Sequence, residues 1–174
     1  MFSTFLNFWS MAQDYFVAAC FLCLVWLIAK GVARVLWKLG WGLAKREIAI
    51  FAKNDVGGSL KKLLADTGIF NPASIRLIES KMDFELAKRA SVLIVHWWDW
   101  KEDIDAILGY KDPADALLIY APAKRKEDGT FDRIPDATME LLDNTRNTSV
   151  ANFRGRLLND LIATMIITSQ QRGN

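Results

Sequence analysis

Residues 91–95 have the sequence SVLIV, and residues 116–120 have the sequence ALLIY. Both runs are short and apolar and are rich in branched side chains. This pattern is typical of strands that are buried on both faces of a parallel sheet. The two runs therefore predict an α/β fold.

Weaker runs of the same kind extend the predicted sheet to five strands, at residues 46–52, 74–79 and 149–153. Helical patterns separate the strands, at residues 60–67, 83–90, 99–108, 135–145 and 156–169. Strands that alternate with helices predict a doubly wound, flavodoxin-like parallel sheet of order 2-1-3-4-5, with helices on both faces. Between these elements we expect a turn at residues 54–59, in which Ser59 caps the next helix, and a charged loop at residues 124–132.

The composition limits the kinds of protein this chain can be. Its 174 residues allow one domain of ordinary size with an appendage, and 52% hydrophobic residues are enough to bury a core. One histidine and two cysteines exclude a disulfide scaffold and metal centres built from several histidines or four thiolates, so no metal site is predicted. We expect a domain over residues 46–169 and a frayed tail over residues 170–174.

The N-terminal residues 1–45 are predicted to hold a membrane helix. Residues 15–29 are uncharged, and a span from about Met11 to Val32 would approach the roughly 20 residues needed to cross a bilayer. Cys20 and Cys23 lie within this segment and are interpreted as apolar packing. A cleaved signal peptide and a buried helix of a soluble core are the alternatives.

Positive charge follows the apolar segment. Lys30, Arg34 and Lys38 recur every fourth residue, which places them on one face of a helix that could follow the lipid headgroups. The positive-inside rule then puts the later residues in the cytoplasm, as a single-pass protein of the plasma membrane. Residues 47–174 carry 17 basic and 19 acidic residues, so we expect membrane lipid rather than nucleic acid as the partner.

Ligands of open α/β sheets bind beyond the carboxyl ends of the strands. The candidate ligand-binding residues are those predicted at these ends: Asn54, Asp55, Gly57, Gly58, Ser59, His96, Trp97, Trp98, Asp99, Trp100, Tyr120 and Arg154. Backbone amides of residues 54–59 could hold an anion, and the alternative is a plain turn with a helix cap.

Each of the other candidates also has a structural interpretation. His96 is either a ligand-contacting residue or a satisfied structural histidine. The three tryptophans at positions 97, 98 and 100 either stack on a ligand, a partner or the membrane surface, or pack within their own domain. Arg154 either holds a phosphate or carboxylate or forms a salt bridge.

Residues 86–95, LAKRASVLIV, resemble the helix and strand that lead to the catalytic loop of TIR domains. The sequence Trp-Lys-Glu-Asp at residues 100–103 is similar to the Trp-x-x-Glu of the TIR helix that follows. This resemblance implies a flavodoxin-like fold and, if the domain is an enzyme, hydrolysis of NAD or a related nucleotide with Glu102 or Asp103 as the catalytic carboxylate. NAD or another nucleotide is then the implied cofactor or ligand.

Asn54 and Asp55 after the first strand also resemble the acidic pair of response-regulator receiver domains. In that comparison His96 occupies the phosphoacceptor position and Arg154 lies near the usual lysine, so the domain would be a degenerate receiver. The arrangement of an apolar segment that suits lipid, followed by a domain of this kind, is similar to the architecture of membrane-anchored bacterial antiviral effectors.

Three functions follow from these observations. The first is a membrane-anchored signalling or defence effector whose TIR-like domain binds a nucleotide-type ligand or a protein partner and self-associates as a homo-oligomer. The second is an NAD-hydrolysing enzyme. The third is a non-catalytic scaffold that recruits a partner to the membrane.

Overall fold

The computed structural model describes residues 21–33, 46–127 and 129–171, with side chains up to residue 168. The predicted features at residues 1–20, 34–45 and 172–174 lie outside this part of the chain. The N-terminal helix of residues 21–33 and the sheet-containing part belong to separate units and are described separately.

The sheet-containing part is an α/β domain. Its strands are β1 (Ile48–Phe51), β2 (Ile75–Ile78), β3 (Val92–His96), β4 (Ala116–Tyr120), β5 (Lys124–Arg125), β6 (Phe131–Asp132) and β7 (Thr148–Ala151). Its helices are α1 (Asn54–Asp66), α2 (Phe84–Ala87), α3 (Trp97–Trp100), α4 (Ile104–Tyr110), α5 (Asp136–Asn144) and α6 (Arg154–Gln171). Short 3-10 turns at Pro72–Ser74 and Lys81–Asp83 precede β2 and α2.

Five strands form one parallel sheet in the order β2-β1-β3-β4-β7. Because β7 is the fifth predicted strand, the predicted order of 2-1-3-4-5 is confirmed, and it is the order of a flavodoxin-like sheet. Strand pairing is in simple register across the centre of the sheet, where Ile50 lies beside Ile94 and Ile94 beside Leu118.

Alternate residues of the strands are buried on opposite faces of the sheet. Ile48 and Ile50 belong to a cluster with buried residues of α1 and α6, whereas Ala49 and Phe51 belong to a second cluster with residues of α2, α3, α4 and α5. Helices therefore cover both faces, as the continuous apolar strands predicted.

The predicted turn at residues 54–59 is wrong, because α1 already begins at Asn54. Asn54 adopts a positive φ of 54°, a conformation that asparagine tolerates better than most residues. Gly57 is buried within the helix, and a Cβ there would lie 2.4 Å from Leu77 Cδ1. The glycine thus permits close helix–sheet packing, and Ser59 lies inside the helix instead of capping it.

Three other predicted segments differ from the structure. The predicted helix at residues 99–108 is divided into α3 and α4 by a turn at residues 101–103, and α3 begins directly after His96. The predicted loop at residues 124–132 contains β5 and β6, which pair as an antiparallel hairpin. The last helix begins at Arg154, two residues before its predicted start, and continues to Gln171 into the predicted frayed tail.

Every residue of the N-terminal helix is exposed. Its large apolar side chains are 46–67% exposed: Phe21, Leu22, Leu24, Val25, Trp26, Leu27, Ile28 and Val32. No helix within the described residues has the length and hydropathy needed to cross a bilayer. Residues 11–20 of the predicted span lie outside the described part of the chain.

Candidate functional site

The switch point of the sheet lies between β1 and β3. These strands are neighbours, but the chain leaves β1 toward β2 on one side and leaves β3 toward β4 on the other. Such a divergence opens a crevice at the carboxyl ends of the two strands. The candidate residues within positions 54–59 and 96–100 lie at these ends or shortly after them.

His96 and Asp99 form the polar centre of this edge. His96 Nδ1 lies 2.7 Å from Asp99 Oδ2, and the same oxygen accepts a hydrogen bond of 2.9 Å from the backbone N–H of Lys53. His96 is only 6% exposed. Asp99 therefore connects the end of β3 to the residue that precedes α1, and Nδ1 is the histidine nitrogen already in use.

Aromatic rings surround this polar pair. The rings of His96 and Tyr120, which are register partners on β3 and β4, have centroids 5.8 Å apart. Lys53 Nζ lies 4.6 Å from the centroid of Trp100. The indole ring packs edge-on against Phe51 in the core.

The three tryptophans after β3 have different environments. Trp97 and Trp100 are 2% and 1% exposed and belong to the core cluster beneath the sheet, so packing within their own domain accounts for both. Trp98 is partly buried and donates a 2.8 Å hydrogen bond from Nε1 to the carbonyl oxygen of Pro122. Lys124 Nζ lies 5.8 Å from the Trp98 ring centroid. Trp98 is thus the tryptophan whose ring remains accessible at this edge.

The residues predicted as an amide cradle are part of α1. Asp55 is exposed in the first turn, and Gly58 has open space where a side chain would be. Ser59 Oγ accepts a hydrogen bond of 2.9 Å from Arg154 Nη2, which joins α1 to the start of α6. The structure therefore brings Ser59 and Arg154 together, through a hydrogen bond to a serine and not through the salt bridge expected as the alternative for the arginine.

The two carboxylates expected in an NAD-hydrolysing site lie between α3 and α4. Asp103 forms a salt bridge of 2.5 Å with Lys81, and Glu102 is exposed. Among the described contacts, neither residue joins the His96–Asp99 pair. No described contact therefore joins Glu102 or Asp103 to His96, although both carboxylates closely follow Trp100 in the sequence.

A shallow cleft of about 380 Å³, here called the hairpin cleft, lies at the carboxyl ends of β4 and β7. Its apolar lining comes from Trp98, Ala121, Ala123, Phe131, Ile134, Met139 and Val150. Its polar lining comes from Asp132, Arg133, Asp136 and Asn152. Phe131 is 60% exposed although it lies in a concave site.

One of the cleft residues, Trp98, is also a ligand-binding candidate predicted from the sequence. The others come from the hairpin, from α5 and from β7, which are distant in the sequence. One local signal was present: Phe131 is the aromatic residue of an otherwise charged and polar segment, at residues 124–132.

The described residues contain no group of three or more histidine, cysteine or acidic side chains that could hold a metal ion. The arrangement is thus one of a packed polar pair beside an open, partly aromatic cleft, which suits ligand binding. A scan against protein-family models, a search of curated proteins and a search of solved structures each found no match to this chain.

Proposed function

We propose that this protein is a membrane-anchored signalling or antiviral-defence effector. Its TIR-like domain would face the cytoplasm, bind a nucleotide-type ligand or a protein partner at the carboxyl edge of the sheet, and self-associate at the membrane. The observation that carries the proposal is the N-terminal helix of residues 21–33, whose large apolar side chains are all exposed.

Exposure on all sides of this helix favours lipid as its surroundings. Helices of soluble domains normally expose a polar face and bury an apolar one. Residues 21–33 contain a single charge, Lys30, whose Nζ lies 4.9 Å from the Trp26 ring centroid. Leaving a large apolar side chain in water instead of burying it costs about 1.5–3 kcal/mol, so eight such side chains favour transfer to a bilayer.

The binding role is supported by the position of the hairpin cleft and of the His96–Asp99 pair. Both lie at the carboxyl edge of a parallel sheet, where α/β proteins of this topology bind ligands. Clefts of roughly 300–1,000 Å³ with apolar walls and a few polar groups are the usual size and composition of small-molecule sites.

The enzymatic alternative receives less support from the geometry. Asp103 is engaged by Lys81, and no described contact joins Glu102 to the carboxyl-edge residues. A carboxylate that stabilises positive charge on a ribose would have to face the bound nucleotide. Incubation of the chain with NAD should therefore release no nicotinamide.

The proposal is tested by membrane flotation and by mass. The full chain, expressed in bacteria, should float with the inner membrane, and its cytoplasmic domain should be accessible to protease only from the cytoplasmic side. The oligomeric mass of the detergent-solubilised protein should rise when its ligand or partner is present. Recovery of the intact chain in the soluble fraction would contradict the anchor. A constant monomeric mass with every nucleotide and partner tried would contradict the effector mechanism.

A further inference from the structure

The hairpin cleft adjoins a second concavity along the β5–β6 hairpin. This charged groove of about 600 Å³ is lined by Lys124, Arg125, Lys126, Glu127 and Asp132. Asp132 lines both concavities, and Lys124 connects them because it lines the groove while its Nζ lies 5.8 Å from the Trp98 ring centroid. One elongated site therefore has an aromatic end and a charged end.

The aromatic end suits a flat ring. The hydrogen bond from Trp98 Nε1 to Pro122 holds the indole in a fixed orientation. Phe131 adds a second ring that is 60% exposed. Aromatic side chains of this kind stack on bases of any sequence, because every base has a π-face. Asn152 and Asp136 line the same cleft and supply polar groups that can contact the edge of a base.

The charged end suits an anion. Of the described residues that line the groove, three are cations and two are carboxylates, and Lys126 pairs with Asp132 at 3.7 Å. Among the described residues, no carboxylate lies within ion-pair distance of Lys124 or Arg125; Arg125 Nε donates to the carbonyl oxygen of Gly129. With respect to the described residues, Lys124 and Arg125 thus remain for phosphate oxygens, which both lysine and arginine bind well.

We propose that the hairpin cleft and the charged groove together bind a nucleoside phosphate. The base stacks against Trp98 and Phe131, and the phosphates lie along Lys124 and Arg125. This inference rests on the proposed function, because it names the ligand class and its place at the same carboxyl edge. Binding is non-covalent and needs no other reactant.

Calorimetric titration of the detergent-solubilised full chain with ATP, GTP and UTP tests this assignment. We expect at least one nucleotide to bind. It should bind roughly tenfold more tightly than its nucleoside or inorganic tripolyphosphate alone, because the base and the phosphates each supply part of the binding free energy. Phe131→Ala should weaken that binding roughly tenfold. Lys124→Ala should weaken it and reduce its dependence on salt concentration.

Two variants serve as matched controls. Phe153→Ala removes an aromatic ring of similar exposure, 58%, that does not line the cleft, and Lys62→Ala removes an exposed lysine of α1. Both should bind the nucleotide as the unmodified chain does. All these side chains are exposed, so the four variants should fold.

Three results would overturn the assignment. The first is no heat of binding with any of the three nucleotides at millimolar concentration. The second is equal affinity in the cleft variants and the controls. The third is tripolyphosphate binding as tightly as the nucleotide, which would exclude base stacking.

The titrations, together with the flotation and mass measurements, separate this inference from the proposed function. If the chain floats with membranes and changes mass with a protein partner but binds no nucleotide, the ligand class is wrong and the effector proposal stands. If the chain binds nucleotides in the cleft but is recovered in the soluble fraction, the ligand class stands and the membrane anchor is wrong.

Discussion

Asp99 accepts two hydrogen bonds that hold the carboxyl ends of β1 and β3 together, from His96 Nδ1 and from the backbone N–H of Lys53. Hydrogen bonds to a charged group each contribute about 1.5–3 kcal/mol, and a buried donor left without an acceptor is costly. Asp99→Ala should therefore lower the free energy of unfolding by about 2–3 kcal/mol. Urea denaturation followed by tryptophan fluorescence measures this loss.

The control for Asp99→Ala is Asp143→Ala, which removes an exposed carboxylate from the last turn of α5. Its effect should stay within about 0.5 kcal/mol, as for most surface substitutions. Equal unfolding midpoints for the two variants would mean that the Asp99 hydrogen bonds contribute little to stability.

Gly57 and Gly58 are neighbours in α1 with opposite surroundings. A Cβ on Gly57 would lie 2.4 Å from Leu77 Cδ1 and 3.2 Å from the carbonyl oxygen of Ala52, whereas a Cβ on Gly58 would meet no atom within 4 Å. Alanine raises helix propensity by up to about 1 kcal/mol at either position, but overpacking costs about 1–3 kcal/mol. Thermal or urea unfolding should show Gly57→Ala destabilised and Gly58→Ala slightly stabilised.

A shift of both glycine variants in the same direction would contradict the packing explanation for Gly57. The comparison also tests why the predicted turn at residues 54–59 was wrong. In the sequence, adjacent glycines resemble a turn. In the fold, one of them is needed for the close approach of a helix to Leu77 on the neighbouring strand.

The buried strands could be predicted from the sequence, because a strand that is buried on both faces is a continuous apolar run. The run at residues 116–120 coincides with β4, and the run at residues 91–95 overlaps β3 from Val92. The β5–β6 hairpin has no continuous apolar run, since three of its four strand residues are charged and all four are exposed or half-exposed. Short strands on a surface gain too little from burial to select apolar residues.

Lys111 connects the end of α4 to the turn before β7. Its Nζ donates a hydrogen bond of 2.7 Å to the carbonyl oxygen of Arg146 and one of 3.3 Å to that of Asp112. Burial is the largest cause that lowers the Lys111 pKa from its ordinary value of 10.5, and the charge of Arg146 lowers it further, while Asp115 and Asp112 act in the opposite direction. The ammonium is therefore less favoured in the folded state than in the unfolded chain.

This pKa shift predicts how stability depends on pH. Because the unfolded chain binds the Lys111 proton more tightly, this residue's contribution to stability rises as the pH increases toward 10.5. The free energy of unfolding, measured between about pH 8 and 10, should increase for the unmodified chain relative to Lys111→Gln. The pKa of Lys88 is raised, chiefly by its hydrogen bond to Glu85, and acts with the opposite sign, but it is present in both proteins and cancels. A constant or falling difference would contradict the shift.

At the scale of the whole molecule, the carboxyl edge could be predicted as the location of a site, but the cleft itself could not. Its rings come from Trp98 after β3 and Phe131 on the hairpin, and its remaining walls include Met139 of α5 and Val150 of β7. The strand order brings these segments together in space, and no local sequence pattern predicts that they are neighbours. The His96–Asp99 pair differs from the cleft, because its two residues are only three positions apart in the sequence.

The proposed membrane anchor can be tested by placing charges on the N-terminal helix. Leu24 and Ile28 lie one helical turn apart in the N-terminal helix and are 55% and 58% exposed. A charged side chain within the hydrocarbon region costs about 2.5–3.5 kcal/mol or more. If lipid surrounds this helix, the double variant Leu24→Glu/Ile28→Glu should release the chain from membranes into the soluble fraction after alkaline carbonate washing.

The matched control places the same charges on the sheet-containing part. Met82 and Leu86 are also four residues apart and are 93% and 50% exposed, so Met82→Glu/Leu86→Glu adds two carboxylates without entering the N-terminal helix. This control should remain with the membrane pellet, because it leaves unchanged the residues that are proposed to face lipid. Equal release of both double variants would instead indicate that added negative charge weakens a peripheral association. Retention of both would mean that residues 24 and 28 do not contact lipid, because two buried carboxylates could not be tolerated there.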